Sequence, residues 1–209
     1  MRRFALIVAL SLAVVPLLAA FSLGSAQQPE QYVNAGVFPY STASGDMLVL
    51  LGFDGDRKSW SDFVGTCTPG ETPPDTAARE FSEETRGAFP DDRIATRLES
   101  LEPVRIGETL LFLIEVPPIS AEEITRLAKS RNSEKTAYCW VPLDALLQSI
   151  DERGAGRAQV PESCVASSRE LFAVAADNLV EGQGLRAELF LAPNEDLTRT
   201  STTWPRCGR

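Results

Sequence analysis

Histidine is absent from this 209-residue chain. That absence excludes Ser-His-Asp and Cys-His catalysis, HExxH zinc proteolysis and every histidine-ligated metal. A metal ion would have to sit on carboxylates, backbone oxygens or thiolates. Thiols are few as well. Cys67, Cys139, Cys164 and Cys207 form no CxxC pair, which argues against a zinc ribbon or a thioredoxin-type redox site. Basic charge is also in short supply, with 20 Lys and Arg against 29 Asp and Glu. A binder of phosphate backbones usually carries a basic face, so no nucleic-acid partner is expected at a pI near 4.7. The length suits one domain with an appended tail, and it is enough to bury a core.

What is present begins with an address. Arg2 and Arg3 precede an uncharged apolar stretch from Phe4 to about Leu23, then Gly24-Ser25-Ala26 and a polar run from Gln27. This is the layout of a secretory signal peptide cleaved after Ala26. The apolar run is long for that purpose, so an uncleaved anchor stays open; Pro16 and the small residues favour cleavage. In both readings the body of the chain lies outside the cytoplasm, in the periplasm or beyond the cell. Cleavage removes two arginines and no acid, taking the net charge from −9 to −11. All four cysteines fall in the exported part, so up to two disulfides are expected. Three connectivities are possible. Cys164–Cys207 is favoured because it would tie down a loose tail, Cys67–Cys139 would rigidify a loop, and free buried thiols are the alternative.

Along the body, Val33 to Tyr40 and Met47 to Phe53 read as strands, and Asp54-Gly55-Asp56 supplies turn chemistry after the second. Trp60 to Val64 is a further short extended piece. A helix is expected from Thr72 or Pro73 to about Thr85, with Gly87 as its terminator. Glu102 to Ile106 and Thr109 to Val116 form a strand pair, and Ser120 caps a helix over about 121–129. Ala137 to Val141 is strand-like, Leu143 to Ile150 is a short helix, and Asp151 to Pro161 is a loop. An amphipathic helix is expected over about 166–179. Strands and helices in this mixed order give an α/β or α+β domain. The expected division is 1–26 signal segment, 27–180 domain and 181–209 tail.

Glu80, Glu83 and Glu84 stand at i, i+3 and i+4, on one face of the expected helix. Three like charges so close repel, which makes sense if a divalent cation neutralises them. Oxygen-only ligation suits Mg²⁺ or Mn²⁺. From charge spacing alone, a solvated acidic face is the commoner outcome. The opposite face offers Ala77, Ala78 and Phe81 for packing on a sheet.

The wider pattern is more specific. Gly65, Glu71 and Arg79-Glu80-Phe81-Ser82-Glu83-Glu84 resemble the Nudix box, G-x5-E-x7-R-E-U-x-E-E-x-G-U with U apolar, and every position from Gly65 to Glu84 matches. Arg86 replaces the last glycine of that pattern, with Gly87 one residue later, so a helix ending one residue later is expected. Val64 and Thr68 also depart from residues common beside the box. Trp140-Val141-Pro142-Leu143 and the apolar residues after it resemble the segment downstream of the box in that family.

The resemblance implies an α/β/α sandwich around a mixed β-sheet. It implies that Glu80, Glu83 and Glu84 are metal ligands, that Glu71 and Arg79 form a structural ion pair, and that Gly65 and Gly70 shape the loop. A further carboxylate often joins such a site. Glu134 is the first candidate and Glu115 the second, with an ordinary exposed acid as the competing reading for Glu134. Arg105 and Lys135 are candidates for phosphate contact. Tyr40, Phe53 and Trp60 are candidates for base stacking, although core packing suits at least two of them better. The implied activity is Mg²⁺-dependent hydrolysis, with Mn²⁺ as a substitute, of a phosphoanhydride in a nucleoside diphosphate linked to another group. The implied partner is a small-molecule nucleotide derivative, and membrane attachment follows only if the N-terminal segment stays uncleaved. The alternative is a module of the same fold that binds nucleotide or serves a structural role without catalysis. Arg86, Val64 and export favour that alternative; the intact glutamate cluster favours the enzyme. Substrate, general base and oligomeric state stay open.

Overall fold

Apolar residues crowd Asn34–Ser41 (β1) and Leu48–Asp54 (β2), and these strands form the middle of a seven-stranded sheet. The computed structural model describes residues 32–128, 133–173, 175–176 and 204–207. The expected N-terminal signal segment lies outside them, and no helix of the described residues is long and apolar enough to cross a membrane.

The remaining strands are Ser59–Ser61 (β3), Phe63–Thr66 (β4), Val104–Ile106 (β5), Thr109–Glu115 (β6) and Lys135–Pro142 (β7). β1 runs parallel to β6, from Asn34 opposite Thr109 to Tyr40 opposite Glu115. The other pairings between these strands are antiparallel. The sheet is therefore mixed. On its other edge β1 changes partner midway. It pairs with β4 from Asn34 to Val37, then with β2 at Tyr40 and Ser41. Asp62 alone joins β3 to β4 beside this change.

Helices Pro73–Glu84 (α1), Asp91–Leu98 (α2) and Ala121–Arg126 (α3) cover one face, and Leu143–Arg153 (α4) covers the other. Alternation along the strands divides the core. Ala35, Val37, Leu50 and Phe112 pack with Phe63, Phe81 and Ile94 on the first face. Val49, Leu51, Phe53 and Val141 pack with Trp60, Leu146 and Ile150 on the second. The architecture is α/β/α.

The extended piece at 60–64 is in fact two strands broken at Asp62, because its halves pair with different neighbours. α2 was not anticipated, although acids in its first turn and buried Ile94 and Leu98 at i, i+4 mark it. The helix expected over 166–179 is corrected as far as residue 172. Trp60 N–H donates to Glu170 O (2.8 Å) and Phe172 N–H to Trp60 O (2.8 Å), while Val160 N–H donates to Arg169 O (2.9 Å). These edge-type bonds satisfy the backbone there, so the segment does not need the hydrogen-bond ladder of a helix. Residues 174 and 177–179 lie outside the described residues, as does most of the tail.

Both disulfide expectations are also corrected. The bonds are Cys67–Cys207 and Cys139–Cys164, with Cα separations of 6.0 and 5.5 Å. Cys139 faces the second core layer, against the chain around 158–171, so it meets Cys164 rather than Cys67. Cys207 does tie the tail down, but to the loop before α1. Its N–H donates to Glu71 O (2.8 Å), and Trp204 sets its ring edge-on to Phe112 at 5.8 Å.

Candidate active site

The loop from Cys67 to Glu71 and the helix behind it are locked by one arginine. Thr72 caps α1 in a reciprocal box with Asp75, and prolines at the first helical positions need no N–H partner. One turn on, Arg79 Nε donates to Glu71 Oε1 (2.8 Å) and Nη2 to Glu71 Oε2 (3.1 Å). The same guanidinium donates through Nη1 to Glu80 Oε1 (2.6 Å) and through Nη2 to Thr66 O (3.0 Å). Glu71 also accepts from Thr68 N–H (2.9 Å) and Thr76 Oγ1 (2.8 Å). Burial opposes ionisation of Glu71, yet the bonds from Arg79, Thr68 and Thr76 outweigh it and hold its carboxyl below the usual range. The bond to Glu71 foremost, and that to Glu80, raise the pKa of Arg79 against its partial burial.

Glu80 lies directly over Gly65. A Cβ there would collide with the Glu80 carboxylate, so only glycine on β4 lets helix and strand come this close. Burial raises the Glu80 carboxyl, against the pull of Arg79.

Glu84, one turn further, is 6% exposed. Its Oε1 faces Lys135 Nζ at 3.4 Å, and its Oε2 is buried with no hydrogen-bond partner. Burial pushes its carboxyl up to about 8 even with the Lys135 ammonium alongside, and Glu80 and Asp62 add to the rise. Lys135 itself is 2% exposed and donates to Ser61 Oγ (2.5 Å). Tyr138 Oη donates to Glu84 O (2.5 Å) and steadies the end of the helix.

These groups surround a polar cavity of about 450 Å³. Glu80, Glu84, Glu134 and Lys135 line it together with Asp62 and Arg57. Glu134 sits exposed at the rim, while its carbonyl accepts from Gly55 N–H (3.3 Å). Glu83 is not among the lining residues; its carboxylate lies 3.9 Å from Arg79 Nη1. Gly70 takes a left-handed φ of 92° in the loop, and its carbonyl accepts from Arg206 Nη1 (2.6 Å). Glu115 lies away from the cavity and accepts from Thr42 Oγ1 (2.5 Å). Arg105 and Tyr40 are not in the lining either, and Phe53 and Trp60 are core residues in edge-to-face contact at 5.4 Å.

Sequence reasoning missed Asp62, Arg57 and Phe172 as cavity residues. Arg57 is placed by Asp54, whose buried carboxylate accepts from the Asp56 and Arg57 N–H groups (both 2.8 Å). Its guanidinium lies 5.3 Å over the Phe172 ring. The Asp54-Gly55-Asp56 turn was the available signal; for Phe172 there was none.

α1 ends at Glu84 with Thr85 as its cap, not a residue later as Arg86 had suggested. Arg86 instead enters the left-handed region itself, at φ 60°, and Gly87 follows at 79°. Its side chain recovers part of that cost by donating to the carbonyls of Thr125 and Leu127 at the end of α3, and by lying 5.7 Å over the Tyr138 ring.

The donor set is all oxygen and suits Mg²⁺ or Mn²⁺. The bare Glu84 Oε2 is the kind of atom a cation satisfies, since a buried acceptor without a partner is costly. Among the described residues, no three candidate ligands stand close enough to form a ready-made metal cluster. Arg79 and Lys135 hold the carboxylates instead.

A profile of the NUDIX domain matches residues 31–162. No curated protein matches the chain. Among solved structures it is similar to a C. elegans Ap4A hydrolase at 17% identity, over 74% of this chain and 98% of that one, with a TM-score of 0.42. It is also similar to the NUDIX domain of Shewanella oneidensis NrtR, solved with ADP ribose, at 13% identity over 76% and 90% of the chains (TM-score 0.43). A MutT/nudix family protein from Enterococcus faecalis is similar at 11% identity over 78% and 64% (TM-score 0.46).

Proposed function

This chain belongs to the Nudix domain family, and from that premise we propose that it is an exported, Mg²⁺-dependent hydrolase of nucleoside diphosphate derivatives. The observation that carries the reading is the bare, buried oxygen of Glu84 beside Glu80 in a polar cavity that also takes in Arg57 and Lys135. Glu80, Glu83 and Glu84 would hold the metal. When bound, Mg²⁺ neutralises a pyrophosphate and makes an attacking water more acidic.

The protein's own groups do the remaining work. Arg79 aims Glu80 by holding one of its oxygens, and Glu71 fixes Arg79 from two sides. Such positioning is worth much in a reaction governed by geometry. Arg57 and Lys135 offer positive charge to phosphate oxygens at the cavity wall. Glu134, exposed at the rim, would accept a proton from water. The two disulfides fit a life outside the cytoplasm.

The test is turnover by the oxidised protein on a panel of nucleotide sugars, dinucleotides and nucleoside polyphosphates with Mg²⁺ or Mn²⁺. Metal-dependent cleavage that Glu83→Gln and Glu84→Gln abolish is the expected result. No cleavage by folded protein, with thermal stabilisation by a nucleotide, would instead establish a binding module.

A further inference from the structure

Lys135 is the most deeply buried cation near the carboxylates, and its burial is built for. Its methylenes run across Gly52 of β2, where a Cβ would lie 2.8 Å from its Cγ and Cδ. Its ammonium ends between Ser61 Oγ and Glu84 Oε1, at 2.5 and 3.4 Å. A lysine head group is strongly hydrated, so it stays in such a place only when held by partners. Glu84 is the carboxylate within ion-pair distance, with Asp54 also in the field of the ammonium, and Glu84 is a residue the proposed metal also needs.

We propose that Lys135 is a resident cation of the carboxylate cluster, which competes with the divalent ion for Glu84 and so sets how tightly the protein binds metal. The inference rests on the reading of Glu84 as a metal ligand. Charge product decides the sign. The ammonium attracts the singly charged carboxylate but repels a divalent ion twice as strongly at equal distance. Removing the ammonium therefore favours the metal on balance, even though it also makes the Glu84 proton harder to displace. Lysine lowers metal affinity and keeps the metal-free site intact.

The probe is Mn²⁺, titrated into the purified protein with both disulfides formed, with affinity and stoichiometry read by calorimetry and electron paramagnetic resonance. Lys135→Met is expected to tighten Mn²⁺ binding by about tenfold or to add a bound ion, and Lys135→Arg to stay near wild type. If Lys135→Met folds only when Mn²⁺ is present, the proposal also stands, because the metal then replaces the missing charge. Unchanged Mn²⁺ affinity in a folded Lys135→Met overturns it while leaving the hydrolase reading intact. So does failure of that variant to fold even with Mn²⁺. Absence of Mn²⁺ binding in both wild type and variant sinks the metal-dependent reading itself, whereas binding by the variant alone shows the lysine excluding the metal.

Discussion

Glu71 and Glu84 flank the two ends of α1 and receive opposite treatment. At the N-terminal end, Glu71 is met by an arginine fork, a hydroxyl and a backbone N–H, and its carboxyl is held acidic. At the C-terminal end, Glu84 has a single ammonium at 3.4 Å and a bare oxygen, and its carboxyl is pushed up to about 8. The N-terminal end is finished without any ligand; the C-terminal end is not. A carboxylate with every lone pair satisfied can only support, and one left short of donors is available for chemistry.

The contrast can be broken by neutralising each end in turn. Glu84→Gln is expected to lower metal-dependent turnover by about 100-fold or more, with only a small loss of stability in the metal-free protein, because the amide oxygen still accepts from the Lys135 ammonium. A large loss of stability would show that Glu84 is structural after all. Glu71→Gln reverses the pattern, with a loss of about 2 kcal/mol in denaturant unfolding, because Arg79 loses a charged, two-pronged partner. If that variant is as stable as wild type, the N-terminal end is not the anchor described here.

Between these lies Gly65→Ala, which pushes the Glu80 carboxylate aside; turnover should fall about tenfold with stability little changed, as measured by kinetics and melting together. The pH response sharpens the comparison further. Because burial raises Glu84 from its ordinary 4.5 to about 8, the stability it contributes is present in full below 4.5 and lost as pH rises through about 8. The metal-free protein should therefore melt progressively lower across that window, and Glu84→Gln should flatten that part of the slope. Glu71, held acidic, acts in the other direction and weakens the fold only as pH falls below the carboxylate range. The smallest effect is expected from Arg86→Gly. It relieves a left-handed residue but loses the contacts to α3, so unfolding free energy should change by about 1 kcal/mol or less.

The strands and α1 were legible because each carries its own local signal. β1 and β2 are apolar runs, and α1 starts on a hydroxyl cap with proline behind it. That Glu80, Glu83 and Glu84 share a helix face was readable from their spacing, although the cavity takes in Glu80 and Glu84 and not Glu83. Asp62 and Phe172 were not readable as cavity residues in this way. Their places depend on strand register and on a segment that pairs along Trp60, more than 100 residues away in sequence. The cysteine pairing was hidden for the same reason. Sequence separation does not order four thiols in space, whereas the sheet places Cys139 against the chain around Cys164.

The Cys67–Cys207 bond also changes the topology of the molecule. Its partners are 140 residues apart, so everything between them, including α1 and every residue of the cavity wall beyond β4, belongs to one covalent ring. A protease that cuts the ring once opens it without releasing a fragment. Such a nicked chain would run as a single species on a non-reducing gel and as two pieces after reduction. The loop that presents Glu71 to Arg79 would remain tethered to both halves.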